Sequence, residues 1–485
     1  MRIIGNRGNT ARKVQAVASG ALASGDTVVV NADGTVSVVA GASASTGTKA
    51  TFEAVEIAGG YGPIAIKVDT NKVLVIWSKN NEHGTAAVGT ISGTSISFGS
   101  ESSYESVGVG KQSAVLVENN KVAICWLQAG SPFNGYAVVA TVSGTSVSFG
   151  STALISSDHL YSNDIGLADT NKVVVAWSDG GNSRYGTAVV GTISGTSISF
   201  GSETIFESGH IEYTAVSGVG SSKVIISYTD NANSYSGTSI VGTVSGTSIS
   251  FGSAATFTDS PFNSTKITGE SLGTTGKVAL SYGTATGSAG SYHTSTHSIV
   301  ATASGTSVSF GTPVTWLDPG VGGGEAITYN NGTVTLSDTT FVTAFVQSSD
   351  GDSKFIQGTV SGTSITMDTS NIITYSTDST ANVLFAALDT DKVFIAFKDS
   401  GDSNKGNSLV QIFPSTNLTS ENYIGIASNG YATGQAATIN VKGFIDDNQS
   451  SLTAGQSYYV QTNGDLGLTA ADPSVFAGTA VSATK

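Results

Sequence analysis

The stretch "GTISGTSISFGS" occupies positions 89–100, and the same twelve letters return at 191–202. Its core, Ser-Gly-Thr-Ser followed by Ile or Val and then Ser or Thr, recurs at intervals of 51 to 59 residues. The copies begin at Ser92, Ser143, Ser194, Ser245, Ser304 and Ser361. A period of this size is the length of one propeller blade and exceeds that of leucine-rich or ankyrin repeats. The chain is therefore built from blade-sized units.

Each copy, which we call the cassette, has the pattern of a β-hairpin. Alternating apolar and polar residues flank Gly93-Thr94, and glycine at the first turn position suits a two-residue type II′ turn. Pairing outward from the turn places Ile91 opposite Ile96 and Gly89 opposite Phe98, and in the other copies Ala140 opposite Phe149, Gly191 opposite Phe200, Gly242 opposite Phe251, Ala301 opposite Phe310 and Gly358 opposite Met367. A packed sheet needs small side chains opposite large ones, so the cassette is a packing element rather than a ligand motif.

A second motif, a turn followed by an apolar strand, precedes each hairpin. It reads "DTNKVLVIWSK" at 69–79 and "DTNKVVVAWSD" at 169–179, and it occurs seven times. Each copy ends in an aromatic residue, namely Trp77, Trp126, Trp177, Tyr228, Tyr282, Phe345 and Phe397. Radially repeated sheets bury such residues between neighbouring blades. Together with 60 glycines and 7 prolines, the pattern predicts an all-β chain containing a seven-bladed β-propeller.

The ends of the repeat array predict how the ring closes. The seventh unit lacks a cassette after "NSLVQIFPS" at 407–415, whereas a strand pattern, "GTKATFEA" at 47–54, precedes the first full repeat. We expect the strand near 48–54 to complete the last blade, which leaves few free strand edges. The propeller then spans 47–415.

The terminal segments resemble each other. "GALASGDTVVVNADGTV" from Gly20 aligns without gaps with "SSLTAGQSYYVQTNGDL" from Ser450, at an offset of 430 residues. Asp33-Gly34 and Asn463-Gly464 are hairpin-turn dipeptides in this alignment. The sequence therefore predicts a small β attachment domain in two halves, with an N-terminal arm and first half in 1–41 and a second half in 416–485, and with the propeller inserted between them.

Composition and charge exclude several classes of function. The formal net charge of −14 disfavours nucleic-acid binding, which requires clustered Lys and Arg. No run of eighteen apolar residues is present, so we expect no membrane insertion. The start, "MRIIGNRGNTARKVQA", has too short an apolar stretch for a secretory signal, and we expect no Sec-type export. The single cysteine, Cys125, lies in a buried-strand pattern and is predicted to be a core residue.

The C-terminal stretch that begins "YIGIASNGYATGQAATINVKGF" at 423, together with repeats of the "VVGTISGTSISFGS" kind, resembles virion structural proteins of tailed bacteriophages, especially phages of marine cyanobacteria. The resemblance covers most of the chain. It implies a tail, fibre or capsid-surface component, assembled in the host cytoplasm and resident in the virion, with the terminal domain as attachment module. Other virion proteins would be its partners, and a homo-oligomer on the particle is expected. It assigns no functional residue.

The search for catalytic residues finds no complete motif. The stretch "SSDGDSKF" at 348–355 approaches the Asp-box turn of sialidases but has Asp352 where glycine belongs. A sialidase also needs an arginine cluster for its substrate carboxylate, and the four arginines are Arg2, Arg7, Arg12 and Arg184. We therefore predict a non-enzymatic protein without catalytic residues, with a glycoside hydrolase as the least favoured alternative.

Metal and cofactor sites are not expected either. The five histidines, His83, His159, His210, His293 and His297, are scattered, and the last two are placed in a polar loop. Acidic turns such as those at Asp230 and Asp399 could offer oxygen ligands to calcium. Asx turns at hairpins explain them without an ion.

The predicted function is thus a phage structural protein that docks through its terminal domain and projects a propeller outward, with host adhesion as an additional role. A carbohydrate- or receptor-binding propeller, bound to a host surface glycan or receptor, is the main alternative. The loops at 56–63, 128–136 and 283–298 carry aromatic and amide residues suited to recognition. Arg2, Arg7, Arg12 and Lys13 form a basic arm that could contact an acidic partner in the particle or remain a solvated terminus.

Overall fold

The chain folds almost entirely into antiparallel β-structure, which confirms the all-β prediction. The computed structural model describes residues 13–42, 44–58, 62–79, 83–130, 133–258, 267–286, 293–317, 327–347, 351–377, 380–471 and 473–485. Two compact units are present: 1–45 with 412–485, here unit 1, and 46–411, here unit 2. No helix in the described part of the chain is long and apolar enough to span a membrane.

The strands, in chain order, are β1 (Lys13–Val17), β2 (Thr27–Val30), β3 (Val36–Val38), β4 (Gly41–Ala42), β5 (Ser45–Thr46), β6 (Ala50–Glu56), β7 (Ile64–Asp69), β8 (Lys72–Ser78), β9 (Gly84–Ser92), β10 (Ser95–Phe98), β11 (Ser102–Glu105), β12 (Val109–Glu118), β13 (Lys121–Gln128), β14 (Gly135–Ser143), β15 (Ser146–Phe149), β16 (Ala153–Ser156), β17 (Leu160–Asp169), β18 (Lys172–Asp179), β19 (Tyr185–Ser194), β20 (Ser197–Phe200), β21 (Thr204–Gly220) and β22 (Lys223–Asp230).

They continue with β23 (Ser236–Ser245), β24 (Ser248–Phe251), β25 (Ala255–Thr258), β26 (Thr268–Ser271), β27 (Lys277–Thr286), β28 (His293–Ser304), β29 (Ser307–Phe310), β30 (Val314–Leu317), β31 (Ile327–Ser337), β32 (Thr340–Gln347), β33 (Ser353–Ser361), β34 (Ser364–Met367), β35 (Ile373–Ser376), β36 (Thr380–Asp389), β37 (Lys392–Asp399), β38 (Lys405–Ile412), β39 (Ser415–Thr416), β40 (Tyr423–Ala427), β41 (Ala436–Asn440), β42 (Ser457–Val460), β43 (Leu466–Gly467) and β44 (Val475–Thr479). Two short 3₁₀ helices span Asn231–Asn233 and Ser400–Asp402.

The cassettes form the predicted hairpins in the predicted register. Gly89 lies opposite Phe98 and Ile91 opposite Ile96 in the first copy. The same small-with-large pairing holds in the five other copies. Gly93 has a φ of +63° whereas Thr94 has no positive φ, as a type II′ turn requires. The hairpin prediction is therefore confirmed.

Each repeat of unit 2 forms a small antiparallel sheet. In the second repeat β12 pairs with β13, β13 with β14, and the far edge of β14 is shared by the short strands β15 and β16. Strand β21 is long enough to finish one sheet and begin the next, so two repeats merge there into one sheet of nine strands. The sheet plan otherwise recurs along the unit.

Apolar layers between successive sheets hold unit 2 together. All seven strand-ending aromatic residues predicted to be buried are at most 1% exposed. Trp126, for example, packs with Ile76 and Val88 of the preceding sheet. Cys125 is fully buried in the next layer, as expected, and burial raises the pKa of its thiol to about 12.

The first strands of the repeats surround a common cavity. Residues of β7, β12, β17, β21, β26, β31 and β36 all line a space of about 650 Å³. Each of these inner strands contacts the next in chain order, and β36 contacts β7. Strand β6 pairs with β38, with Thr51 opposite Asn407 and Ala50 opposite Ser408. The first and last segments of unit 2 therefore share one sheet.

Unit 1 contains two copies of a three-stranded motif. Strands β2 and β3 pair with each other as β42 and β43 do, and β40 adds to β2 as β44 adds to β42. The registers match across the 430-residue offset, because Val28 opposes Gly425 and Tyr458 opposes Gly478, each followed by a bulge. The internal similarity seen in the sequence is thus also present in the structure. The connection between the second and third strands of the motif is residues 39–422 in the first copy and residues 468–474 in the second.

Candidate functional site

Three neighbouring inner strands, β12, β17 and β21, share a bulge at the same position of their repeats. The pairing register shifts between Gly110 and Ser113, between Tyr161 and Asp164, and between Glu212 and Ala215. Successive bulges are 51 residues apart in the chain. Lys111, Ser162 and Tyr213 occupy the bulges with φ values of +42° to +52°. A bulge re-aims side chains and is frequent next to functional sites.

The repeats keep this backbone but change its side chains. The residue before the bulge is Gly110 in one repeat, Tyr161 in the next and Glu212 in the third. The cassettes of the same repeats are nearly identical. Variation on a constant scaffold is the arrangement that recognition sites use.

Four flat side chains form a continuous stack around Tyr161. The His159 ring lies 3.7 Å from the Tyr161 ring, with an interplanar angle of 15°. The Phe133 ring lies 4.9 Å from the His159 ring, nearly parallel at 7°. The guanidinium carbon of Arg184 lies 4.2 Å from the centre of the Tyr161 ring, within cation–π range. We call these residues, with Lys111, His210 and Glu212, the stacked cluster.

Charged groups surround the stack. Arg184 Nη1 donates to Glu212 Oε1 at 3.0 Å and lies 3.4 Å from His210 Nε2. The Lys111 ammonium lies 5.5 Å from the centre of the Tyr161 ring. Burial and the positive charges of Lys111 and Arg184 lower the pKa of His159, which is therefore neutral at pH 7. Burial and Arg184 likewise lower the pKa of Lys111.

The outer end of the stack is open. Phe133 is 39% exposed, and His159, Tyr161 and Arg184 are half-buried. Phe133 belongs to the turn between β13 and β14 and has a φ of +61°, a conformation that bulky residues rarely adopt. Its ring therefore offers a flat apolar face at the surface, backed by a fixed polar stack.

The structure unites residues that the sequence left scattered. His159, His210 and Arg184 meet in the stacked cluster, and the predicted recognition loop 128–136 contributes Phe133. Sequence reasoning missed the cluster. Alignment of the repeats at their 51-residue spacing marks variable residues at 108–111, 159–162 and 210–213, but it does not show that they meet Phe133 and Arg184.

Other predicted features lie elsewhere or outside the described residues. The basic arm residues Arg2, Arg7 and Arg12 fall outside them, whereas Lys13 begins β1. The centres of the loops at 56–63 and 283–298 and the Asp-box candidate at 348–350 also fall outside the described ranges.

The placement of His293 and His297 in a polar loop was wrong. Both belong to β28, which extends a hairpin with β27. Both ring nitrogens of His297 have hydroxyl partners, Thr284 Oγ1 at 2.8 Å and Thr315 Oγ1 at 2.9 Å. Hydrogen bonding to the scaffold thus accounts for His297.

The acidic turns form the Asx hydrogen bonds that the sequence predicts. Asp230 Oδ1 accepts from the Asn233 amide at 3.1 Å, and Asp399 Oδ1 accepts from the Gly401 amide at 3.2 Å. Among the described residues, no group of three or more His, Cys, Asp or Glu is arranged to hold a metal ion.

The cavity inside the ring has its own polar groups. Asp164 accepts from Ser113 Oγ at 2.5 Å and from the Val216 amide at 2.7 Å, and so joins three inner strands. Lys67 Nζ donates to the Leu388 carbonyl at 2.6 Å. Glu270 is exposed to the cavity, and desolvation by the surrounding protein raises the pKa of its carboxyl to about 7. Asp164 and Lys67 thereby act as structural ties between strands.

Comparison with known proteins gives fold neighbours only. No family model and no curated protein matches the chain. It is similar to the Aleuria aurantia lectin, described as a six-bladed β-propeller with a novel mode of fucose recognition (13% identity, 66% of this chain and 98% of that one, TM-score 0.40). It is also similar to AofleA from Arthrobotrys oligospora, with 9% identity over 71% of this chain and 92% of that one and a TM-score of 0.41. For the polysaccharide lyase Uly1 the identity is 9%, over 74% of this chain and 92% of that one, with a TM-score of 0.46. The chain is an all-β protein with β-propeller lectins among its structural neighbours.

Proposed function

We propose that the protein is a non-enzymatic, seven-bladed β-propeller that binds carbohydrate at the stacked cluster. The observation that carries this proposal is the stack that runs from Arg184 through Tyr161 and His159 to the exposed Phe133 ring. The ring of seven inner strands around one cavity supports the blade count.

The chemistry of the cluster suits a sugar. A pyranose has a C–H face that packs on a flat aromatic ring, and hydroxyl groups at its edge that need hydrogen-bond partners. Phe133 offers the ring, while Arg184, His210 and Glu212 offer donors and acceptors at the other end of the stack. Their mutual contacts fix their positions in advance, which lowers the entropic cost of binding.

Removal of the exposed ring tests this proposal. Phe133→Ala should weaken glycan binding about fivefold or more, because a stacked aromatic contact contributes on the order of 1 kcal/mol or more. Leu154→Ala is the matched control, since Leu154 is 50% exposed and lies outside the cluster. The measurement is a glycan array followed by calorimetry. Equal binding by Phe133→Ala and wild type would exclude this site.

A second role, attachment to a phage particle, follows from the resemblance of the C-terminal stretch to virion proteins. Unit 1 supports it with large apolar side chains at its surface, among them Ile445 at 64%, Val481 at 63% and Phe476 at 47% exposure. These three also line a cavity of about 660 Å³. Exposed apolar patches commonly mark protein-binding surfaces. We propose that unit 1 docks on another virion protein through this patch while unit 2 carries the glycan site.

Particle incorporation tests the second role. Ile445→Asp with Phe476→Asp should abolish incorporation into purified particles, whereas Leu154→Asp in unit 2 should not. The readout is the protein's abundance on the particles, with electron cryo-microscopy to locate it. Undiminished incorporation of the double variant, or absence of the wild-type protein from every particle, would contradict the role.

A further inference from the structure

We infer that the stacked cluster selects acidic saccharides, in which a carboxylate or sulfate group accompanies the sugar ring. This inference rests on the proposed carbohydrate-binding function and adds the charge of the ligand. It comes from the hydrogen-bond donors of the cluster and from their positions around Tyr161.

The donors of the cluster exceed its acceptors. Arg184 uses Nη1 for Glu212 and His210, and its Nε and Nη2 atoms form no hydrogen bond within the described chain. The Lys111 ammonium has neither a hydrogen bond nor an ion pair with any described residue. The carboxylate of Glu212 is already engaged by Arg184. The groups left for a ligand are therefore mainly cationic donors.

Two cations, Lys111 and Arg184, and one carboxylate, Glu212, lie around Tyr161, although the chain carries a net charge of −14. At His159 the charges that act are those of Lys111 and Arg184, and both lower its pKa. At Lys111 the influence of Arg184 exceeds the opposing influence of Glu212. An anionic group placed between these side chains would relieve the repulsion. A neutral sugar would leave it in place.

The geometry allows one ligand to use the rings and the cations together. The Arg184 guanidinium and the Lys111 ammonium lie 4.2 Å and 5.5 Å from the centre of the same Tyr161 ring. The open Phe133 face lies two rings further along the stack. An oligosaccharide that packs on Phe133 would therefore bring a charged substituent to the cations by running along the edge of the stack, past His159 and Tyr161. Guanidinium groups bind carboxylates and sulfates in a paired, planar fashion.

Nucleic acid also combines flat groups with negative charge, but the observations favour a saccharide. Polyanion binding requires many cations along a groove. This chain has 21 Lys and Arg against 35 Asp and Glu, so a long phosphate backbone would be repelled outside the cluster. A single acidic group on a short saccharide meets no such penalty.

The test uses the full chain and matched pairs of probes: 3′-sialyllactose with lactose, and oligogalacturonate with oligogalactose. Acidic members should bind at least about tenfold more tightly, and raising the salt from about 0.05 M to about 0.5 M should weaken them and not the neutral members. Lys111→Gln should reduce acidic binding about three- to tenfold and neutral binding by less, so that the preference for the acidic member of each pair falls. Arg184→Lys, which keeps the charge but loses the planar fork, should also weaken acidic binding.

The outcomes separate the inference from the function on which it rests. Equal binding of acidic and neutral members, or an unaltered preference in Lys111→Gln, would overturn the acidic selectivity and keep carbohydrate binding. Binding of no saccharide would overturn both. Capture of a single-stranded oligonucleotide in place of the saccharides would overturn the inference in favour of nucleic acid. A Phe133→Ala variant that loses acidic and neutral binding alike would confirm that both occur at the same site.

Discussion

The glycine that follows the large residue of the cassette lies against the backbone of the next repeat. A Cβ atom added at these positions would lie 1.7 to 2.1 Å from the carbonyl oxygen of the threonine in the next cassette turn. The pairs are Gly99 with Thr145, Gly150 with Thr196, Gly201 with Thr247, Gly252 with Thr306, and Gly311 with Thr363. Backbone cannot yield as a side chain can, so this contact explains the glycine of these five cassettes; the sixth has Asp368 at that position.

Gly150→Ala should therefore destabilise unit 2. The added methyl group would lie 1.8 Å from the Thr196 carbonyl oxygen, and the required shift should cost about 1–3 kcal/mol in the free energy of unfolding. Denaturant unfolding followed by tryptophan fluorescence measures it. Gly20→Ala is the control, because nothing lies within 4 Å of its added Cβ. Equal stability of Gly150→Ala and wild type would show that the repeats can move apart at no cost.

A second prediction concerns Glu270 in the central cavity. The side chain is exposed to the cavity, but desolvation by the surrounding protein, with Asp164 nearby, raises its pKa from the ordinary 4.5 to about 7, so folding favours the protonated carboxyl. The loss of folding stability caused by ionising this carboxyl in the folded state is absent below about pH 4.5 and complete above about pH 7. Glu270→Gln should thus be more stable than wild type at pH 8 and equally stable at pH 4, in denaturant titrations. A stability difference that does not change with pH would refute the ionised carboxyl as the cause.

At the scale of elements, strand β6 supplies the aromatic contact that other repeats make with their own outer strands. Phe52 of β6 lies 5.1 Å from Trp77 and 5.9 Å from Phe98, centre to centre. Phe206 makes the equivalent contacts with Tyr228 at 5.3 Å and Phe251 at 5.6 Å. Strand β6, from the start of unit 2, therefore packs as the corresponding outer strand of another repeat does.

Phe52→Ala should accordingly cost about as much stability as Phe206→Ala, on the order of 3 kcal/mol. Each substitution removes a ring that fills the layer between two sheets. Urea unfolding of both variants, monitored by far-UV circular dichroism, gives the comparison. A cost for Phe52→Ala well below that for Phe206→Ala would mean that β6 contributes little to the sheet it joins.

At the scale of the whole molecule, the duplicated motif of unit 1 accounts for the chain order. The second copy runs without interruption from β42 through β43 to β44, whereas 384 residues of chain, 39–422, separate β3 from β40 in the first. The two connecting segments pair as β4 and β39, with Ser415 opposite Ala42. An insertion between paired strand ends leaves the host sheet intact, because its ends remain close together.

Unit 1 should therefore fold without unit 2. Joining Ala42 to Ser415 through an Asn-Gly turn closes a two-residue hairpin at residues that already pair. We expect a β-type circular dichroism spectrum and cooperative thermal unfolding. Adding Val29→Asp, which places a charge at a fully buried position, should abolish both. A non-cooperative transition in the joined chain would show that unit 1 requires unit 2 to fold.

The sequence by itself determined the local architecture. Hairpin register, the turn at Gly93 and the burial of the seven strand-ending aromatic residues follow from a two-residue period and a repeat of about 51 residues, which are short-range properties of the chain. The similarity of the terminal halves is visible in the sequence because residues that align at the 430-residue offset occupy equivalent strand positions.

Only the tertiary structure decided the candidate site. Phe133, His159 and Arg184 come from different turns and are 25 or more residues apart, and no local pattern says that their side chains meet. Their meeting depends on bulges in neighbouring inner strands and on the ring that places those strands side by side. The error at His297 has the same origin, because a strand extending beyond the sheet core carries a loop-like composition. Side-chain proximity between repeats is a property of the closed ring.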